Sequence, residues 1–295
     1  MASRRAYPPL RQEGAVKLGL FGINFGLAAE PEALLRIARA AEEAGLDSLW
    51  TGEHVVLPDP RVPPSPSEPR TPFLDPAVAL TLAAAHTRRI RLATGVIILP
   101  QRNPLVLAKE LASLDVVSNG RLVFGLGAGY LEPEFRALGA PFEERGAVTD
   151  EAIQAIRALW TLEKPSFRGR FWSFQGIDAH PRPVQKPHPP IVVGGMSRLG
   201  ARRAARFGNG WYGFLADLET TRRSAGWLAE AASRGERPRE LGPLEITVTP
   251  PPPLTADTIR RYQDLGVHRL VALSGATTLD DTLRFVDGLG DLQAR

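Results

Sequence analysis

The 295-residue sequence contains no cysteine. That excludes disulfides, thiolate-held iron–sulfur clusters, cysteine-ligated zinc and cysteine nucleophiles. It fits a reducing cytosol, so a cytoplasmic location is expected. No apolar run reaches the roughly 18 residues a membrane span needs, and no membrane partner is expected. The first residues, MASRRAYPPLRQEG, hold arginines but no apolar h-region, so they do not read as a secretory signal. Residues 1–14 are expected to form a disordered leader. There is no H-E-x-x-H, no pair of histidines at ligand spacing, no G-x-S-x-G elbow and no Walker A loop. No metal site is therefore expected, and hydrolytic or phosphoryl-transfer chemistry is disfavoured. The pattern points to a reaction whose hard step belongs to a bound organic cofactor. The net charge is +4, of which the leader carries +2. The remaining excess sits on arginine-rich helix faces such as Arg202, Arg203 and Arg206. No basic stripe with interleaved aromatics is present, so no nucleic-acid partner is expected.

What the chain does contain is a regular alternation. Short continuous apolar runs predict strands at 16–23, 47–51, 90–98, 122–126, 191–193, 210–214, 244–249 and 269–273. Parallel strands buried on both faces read this way. Stretches with helical period and capping residues lie between them: 32–44, 75–87, 103–120, 148–162, 199–207, 218–233, 255–265 and 279–289. Eight strands each followed by a helix predict an α/β fold, a (β/α)8 TIM barrel with insertions at the C-terminal strand ends. A doubly wound open sheet would place G-x-G-x-x-G after the first strand. The sequence there is INFGLAAEPE, which lacks it. No composition break splits the chain, so residues 15–295 read as one domain.

In a barrel of this kind the site lies at the C-terminal strand ends. Three of those ends are glycine-rich. Residues 122–129 read LVFGLGAG, 90–98 read IRLATGVII, and 191–195 read IVVGG. Strand ends without side chains let a flat ligand lie against backbone, which predicts a shared cofactor cleft. Asn24 follows the first strand. Glu53 and His54 follow the second. His54 is the candidate for proton transfer, since imidazole titrates near neutral pH, and Glu53 is a candidate to orient or charge-stabilise a group in the same cleft. The other reading of His54 is a histidine that only bonds within its loop. Gly194, Gly195, Met196 and Ser197 join a strand to a helix N-terminus and form a candidate phosphate site; the alternative is a tight turn with a serine cap. The Gly95–Val96 corner is read either as a strained cis peptide beside a planar ligand or as a plain bulge. The proline-rich segment 58–72 is either a lid over the cleft or an exposed connector.

These segments carry a family resemblance. LLRIARAAEEAGLDSLWTGEHVVLP, the long block from TPFLDPAVAL to EPEFRALG, ERGAVTDEAIQAIRALWT, PRPVQKPHPPIVVGG and RRAARFGNGWYGF resemble the bacterial luciferase-like superfamily, and within it the coenzyme F420-dependent oxidoreductases. The resemblance implies a flavin or deazaflavin across the strand ends, with F420 the expected cofactor and FMN the alternative. It implies a non-prolyl cis peptide at Gly95–Val96 behind the ring. Glu53 and His54 would face ring and substrate, Gly127, Ala128 and Tyr130 would flank the ribityl chain, and Gly194 to Ser197 would hold the phosphate. Sugar-phosphate-oxidising relatives carry a Glu where Tyr130 stands, which argues against that substrate class. Expected activities are an F420-dependent oxidoreductase acting on a small organic substrate, alternatively an FMN-dependent monooxygenase, or a cofactor-free binding barrel. Relatives of this kind pair, so a homodimer is expected.

Overall fold

The computed structural model describes residues 14–294. The leader expected over residues 1–14 therefore lies, apart from Gly14, outside the described residues. The chain alternates strands and helices throughout. In order these are β1 (Lys17–Phe21), α1 (Pro31–Glu43), β2 (Ser48–Thr51), α2 (Pro76–His86), β3 (Arg91–Thr94), β4 (Ile97–Ile98), α3 (Pro104–Val117), β5 (Leu122–Gly127), α4 (Glu132–Ala137), α5 (Arg145–Thr161), β6 (Phe167–Arg168) and β7 (Ser173–Phe174). There follow β8 (Ile191–Gly194), α6 (Arg198–Phe207), β9 (Gly210–Phe214), α7 (Leu218–Ser233), β10 (Glu245–Thr249), α8 (Ala256–Gln263), β11 (Arg269–Leu273) and α9 (Leu279–Gln293).

Eight parallel strands close on themselves. β1 pairs with β11 (Lys17↔Arg269) and with β2 (Gly19↔Ser48), and β3 pairs with β5 (Leu92↔Leu122), so no edge remains in the ring. This is the (β/α)8 barrel that the alternation predicted. The helix starts are visible in the sequence because their caps are. Asp75 accepts the Ala77 N–H at 2.8 Å before Pro76, and Asn103 accepts the Leu105 N–H at 2.9 Å before Pro104. Helix α1 buries Ala33, Leu34, Ile37, Ala38 and Ala41, the spacing of one helix face. A large apolar core lies between strands and helices. A second, smaller one fills the barrel itself: Phe21, Trp50, Ala93, Val123, Val192, Tyr212 and Val271. The Trp50 and Tyr212 rings stack 5.1 Å apart across it. At the N-terminal end Arg269 is 1% exposed and pairs with Asp47 at 2.6 Å and Glu245 at 2.8 Å, which closes the barrel floor.

Three details differ from the sequence expectation. The strand expected over 90–98 is broken into β3 and β4. Ala93 opposes Val123 and Ile97 opposes Leu126, so one side advances four residues while its neighbour advances three. That is a bulge. The segment 163–190, where no element is predicted, carries a small hairpin in which Phe167 pairs with Phe174. The short helix α4 was not anticipated at all.

Candidate functional site

The C-terminal ends of the strands are organised by Asn24, which is fully buried. Its amide donates to the carbonyls of Gly52 (2.8 Å) and Leu74 (2.7 Å), and its Oδ1 accepts the Gly52 N–H (2.9 Å). One side chain thus ties the end of β1, the end of β2 and the approach to α2 together. The functional loop, residues 52–56, hangs from that clamp.

Two adjacent residues on the loop have separate partners. Glu53 turns toward the segment after β4. Its carboxylate accepts from the Ile98 N–H and from the Arg102 guanidinium, Nε lying 2.8 Å away. Arg102 also binds Asp75 at 2.6 Å. Burial pushes the Glu53 carboxyl upward against the pull of Arg102 and the Ile98 N–H. Burial opposes the charge on Arg102 too, but Glu53 and Asp75 outweigh it and hold the guanidinium ionised. Glu53 thus ties the loop to the Ile98 N–H and to Arg102, and the side chain that bonds His54 is a different one.

The partner of His54 is Glu134 on α4. Its side chain is fully buried, and Oε2 lies 3.0 Å from His54 Nδ1. Its Oε1 accepts the Val55 N–H at 2.6 Å. With a carboxylate oxygen as the acceptor, Nδ1 is the donor of this bond, and Nε2 is the ring nitrogen left facing outward. Nε2 faces the Tyr130 hydroxyl at 3.5 Å. Burial, reinforced by the charge of Glu134, pushes the Tyr130 phenol upward, which keeps it a donor. Tyr130, His54 and Glu134 form a line from the open mouth into the protein. Tyr130, just past the end of β5, thus turns its hydroxyl to the imidazole.

The glycine-rich strand ends converge on one side chain. The Gly95–Val96 peptide is cis. A Cβ placed on Gly127 would lie 2.9 Å from Val96 Cγ2, and one on Gly194 would lie 3.0 Å from Val96 Cγ1. The Val96 isopropyl group thus occupies the corner between β5 and β8. Gly125 serves a different purpose: a Cβ there would fall 1.8 Å from the Thr94 carbonyl oxygen. These glycines do not leave bare backbone, as the sequence reading had it. They admit Val96 and the Thr94 carbonyl, and they build a flat bed of main chain and one small apolar group. Ala128 is half-buried at the end of β5. Beyond β8, Gly195 takes φ +133, a region L side chains avoid, and a Cβ there would meet only the Gly200 Cα at 3.7 Å. Met196 is 43% exposed, and the Ser197 hydroxyl caps α6 by accepting the Gly200 N–H at 3.1 Å. The corner leads into the N-terminus of a ten-residue helix, with the Gly195 N–H bonded to the Tyr212 carbonyl at 3.3 Å.

Comparison with known proteins gives the family. The family model for luciferase-like monooxygenases matches residues 16–273. The chain belongs to the luciferase-like monooxygenase family. An uncharacterised protein of Mycobacterium bovis is 32% identical over 263 residues, 85% of this chain and 90% of its own. Among solved structures, the monooxygenase RslO1 from Streptomyces bottropensis superposes with a TM-score of 0.76 at 26% identity, covering 94% of this chain and 98% of that one. An F420-dependent secondary alcohol dehydrogenase in complex with an F420–acetone adduct shares the fold, with a TM-score of 0.75 at 17% identity over 96% of this chain and all of its own. Matches to this luciferase-like chain include both F420-dependent and FMNH2-dependent enzymes, and the family indicates a deazaflavin or a flavin as cofactor. Among the described residues no cluster of ligating side chains could hold a metal ion, and no helix is long and apolar enough to cross a membrane.

Proposed function

We propose that this protein is a coenzyme F420-dependent oxidoreductase that moves a hydride between the deazaflavin and a small organic substrate. The observation that carries the reading is the meeting of Gly127, Gly194 and Val96 at one corner, beside the N-terminus of α6 and below the Tyr130–His54–Glu134 line. Val96, Gly127 and Gly194 would support the ring, and the N–H groups of Met196 and Ser197 would hold the phosphate, the Gly195 N–H being bonded to the Tyr212 carbonyl at 3.3 Å. The coenzyme, when bound, supplies or accepts the hydride. The chain's own residues handle the proton. His54, held by Glu134, exchanges it with the substrate oxygen directly or through the Tyr130 hydroxyl. Glu53 and Arg102 fix the loop that carries His54.

The family description and the likeness to RslO1 favour a second reading, an FMN-dependent monooxygenase that uses reduced flavin and oxygen. Titrating the purified protein with F420 and with FMN, each oxidised and reduced, separates the two. The first reading expects a spectral change and tight binding for F420. Tight FMN binding with no response to F420 would replace it with the second.

A further inference from the structure

We infer that the site takes an uncharged, largely apolar substrate bearing an aromatic ring, seated against Phe21, Phe25 and Phe73 with its one oxygen function toward Tyr130 and His54. This rests on the reading of the site given above and names the substrate class that reading leaves open.

The barrel mouth has two unlike halves. The half made by β4, β5 and β8 is the side-chain-poor corner around Val96, which leads to the phosphate-type helix end. The half made by β10, β11 and β1 is different. Three loops follow those strands: residues 250–255 (PPPPLT), 274–278 (SGATT) and 22–29 (GINFGLAA). None of them carries an ionisable side chain, in a sequence that is 23% charged. A cavity of about 130 Å³ opens in this half between Phe21, Phe25, Leu273 and Ser274, and no ionisable residue lines it. Its size is near that of the engineered apolar cavity, about 150 Å³, that admits benzene.

Rings run along this half without a gap. Phe214 lies 4.9 Å from Phe21, Phe21 lies 6.0 Å from Phe25, and Phe25 stacks on Phe73 at 5.2 Å with 27° between planes. Phe73 meets the His54 ring edge-on at 5.8 Å, and His54 meets Tyr130 edge-on at 6.0 Å. These are the spacings at which aromatic pairs attract. Phe25, Phe73 and Phe214 are only half-buried, so the line presents ring surface outward. It is also held in place. Phe25 and Phe73 form a backbone bridge, and the Gly26 N–H donates to the Pro72 carbonyl at 3.0 Å. Phe73 also borders a neighbouring cavity lined by Glu53, Asp75 and Arg102, but a charged group seated against Phe21 and Phe25 would lose its hydration with no ionisable side chain in the cavity there to replace it. An arene would match it ring for ring. The polar atoms on the line of rings are the Tyr130 hydroxyl and His54 Nε2, so an oxygen function is satisfied at that end.

The test is calorimetric binding of four probes to the full chain: 2-acetylnaphthalene, its charged analogue 2-naphthoate, naphthalene, and glucose 6-phosphate. The ketone should bind at least tenfold more tightly than the carboxylate, and glucose 6-phosphate should bind more weakly than both. Phe73→Ala should weaken the ketone about three- to tenfold, and Phe73→Leu, which keeps the volume apolar, should weaken it less. Tyr130→Phe should weaken the ketone and leave naphthalene unchanged. Equal affinity for ketone and carboxylate, absence of ketone binding, or indifference to both Phe73 variants would overturn the inference. Titrating F420 and FMN on the same preparation keeps the two claims apart. Coenzyme binding without ketone binding overturns the aromatic seat and leaves the proposed function standing. Ketone binding without either coenzyme overturns the proposed function and leaves the seat.

Discussion

His54 Nδ1 and Glu134 Oε2 lie 3.0 Å apart, although 80 positions separate them in the chain. Glu134 is the group that fixes which way the imidazole faces, and the adjacent Glu53 is not. His54→Ala should lower turnover by about 100-fold, the low end of what general acid–base catalysis supplies. Glu134→Gln should lower it roughly tenfold or more, and the double variant should be no worse than His54→Ala alone, because the two residues act as a unit. Additive losses in steady-state kinetics would show that Glu134 acts separately.

The Glu53–Arg102 pair makes a prediction about stability. Removing Arg102 leaves a carboxylate with 1% side-chain exposure and no counter-charge. Arg102→Met should cost about 3 kcal/mol or more in urea unfolding, the usual penalty for breaking a buried pair from one side. Adding Glu53→Gln should recover part of that loss. A double variant less stable than Arg102→Met would contradict the assignment.

The fold was legible because its signals are local. A strand buried on both faces is an unbroken apolar run, and Asp75–Pro76 and Asn103–Pro104 announce helix starts within two residues. His54 and the glycine corners were legible from their positions at strand ends. Glu134 was not. It sits on a six-residue helix, too short for a period to register, and its partner is joined to it only by the closed barrel. The surviving signal was Pro133 flanked by acids, a helix-start pattern directly after the glycine-rich end of β5. Glu53 and His54 are adjacent in sequence, and neighbouring side chains point to different sides, so the two take separate partners. The purpose of Gly125 was equally hidden, since the Thr94 carbonyl that excludes a side chain comes from a paired strand.

Two glycines should respond oppositely to alanine. Gly125→Ala forces a Cβ to within 1.8 Å of the Thr94 carbonyl oxygen and should abolish soluble folded protein. Gly226 lies on the exposed face of α7 with nothing within 4 Å of the added carbon. Gly226→Ala should stabilise the protein by about 0.5–1 kcal/mol through helix propensity. Thermal melts of the two variants check both.

Alkaline pH should unsettle the fold through Tyr262. Its hydroxyl donates to the Ala216 carbonyl at 2.7 Å, and burial, together with the charge of Asp217, pushes its phenol up to about 12. The folded state therefore favours the neutral phenol. An unfolded chain ionises near pH 10, so this contribution is complete below that pH and is lost as pH rises toward 12. Between pH 8 and pH 11 the parent should lose about 1 kcal/mol more than Tyr262→Phe in urea unfolding. Equal losses would mean that Tyr262 does not titrate in this range.

The most direct test of the cofactor corner is an equilibrium titration of F420 and FMN against the parent and Gly194→Val. A side chain at Gly194 begins 3.0 Å from Val96 and fills the bed between β5 and β8. The account predicts that the parent binds one of the two coenzymes and that Gly194→Val, folded by circular dichroism, binds it at least tenfold more weakly. Unchanged affinity in the variant, or no affinity for either coenzyme in the parent, would contradict it.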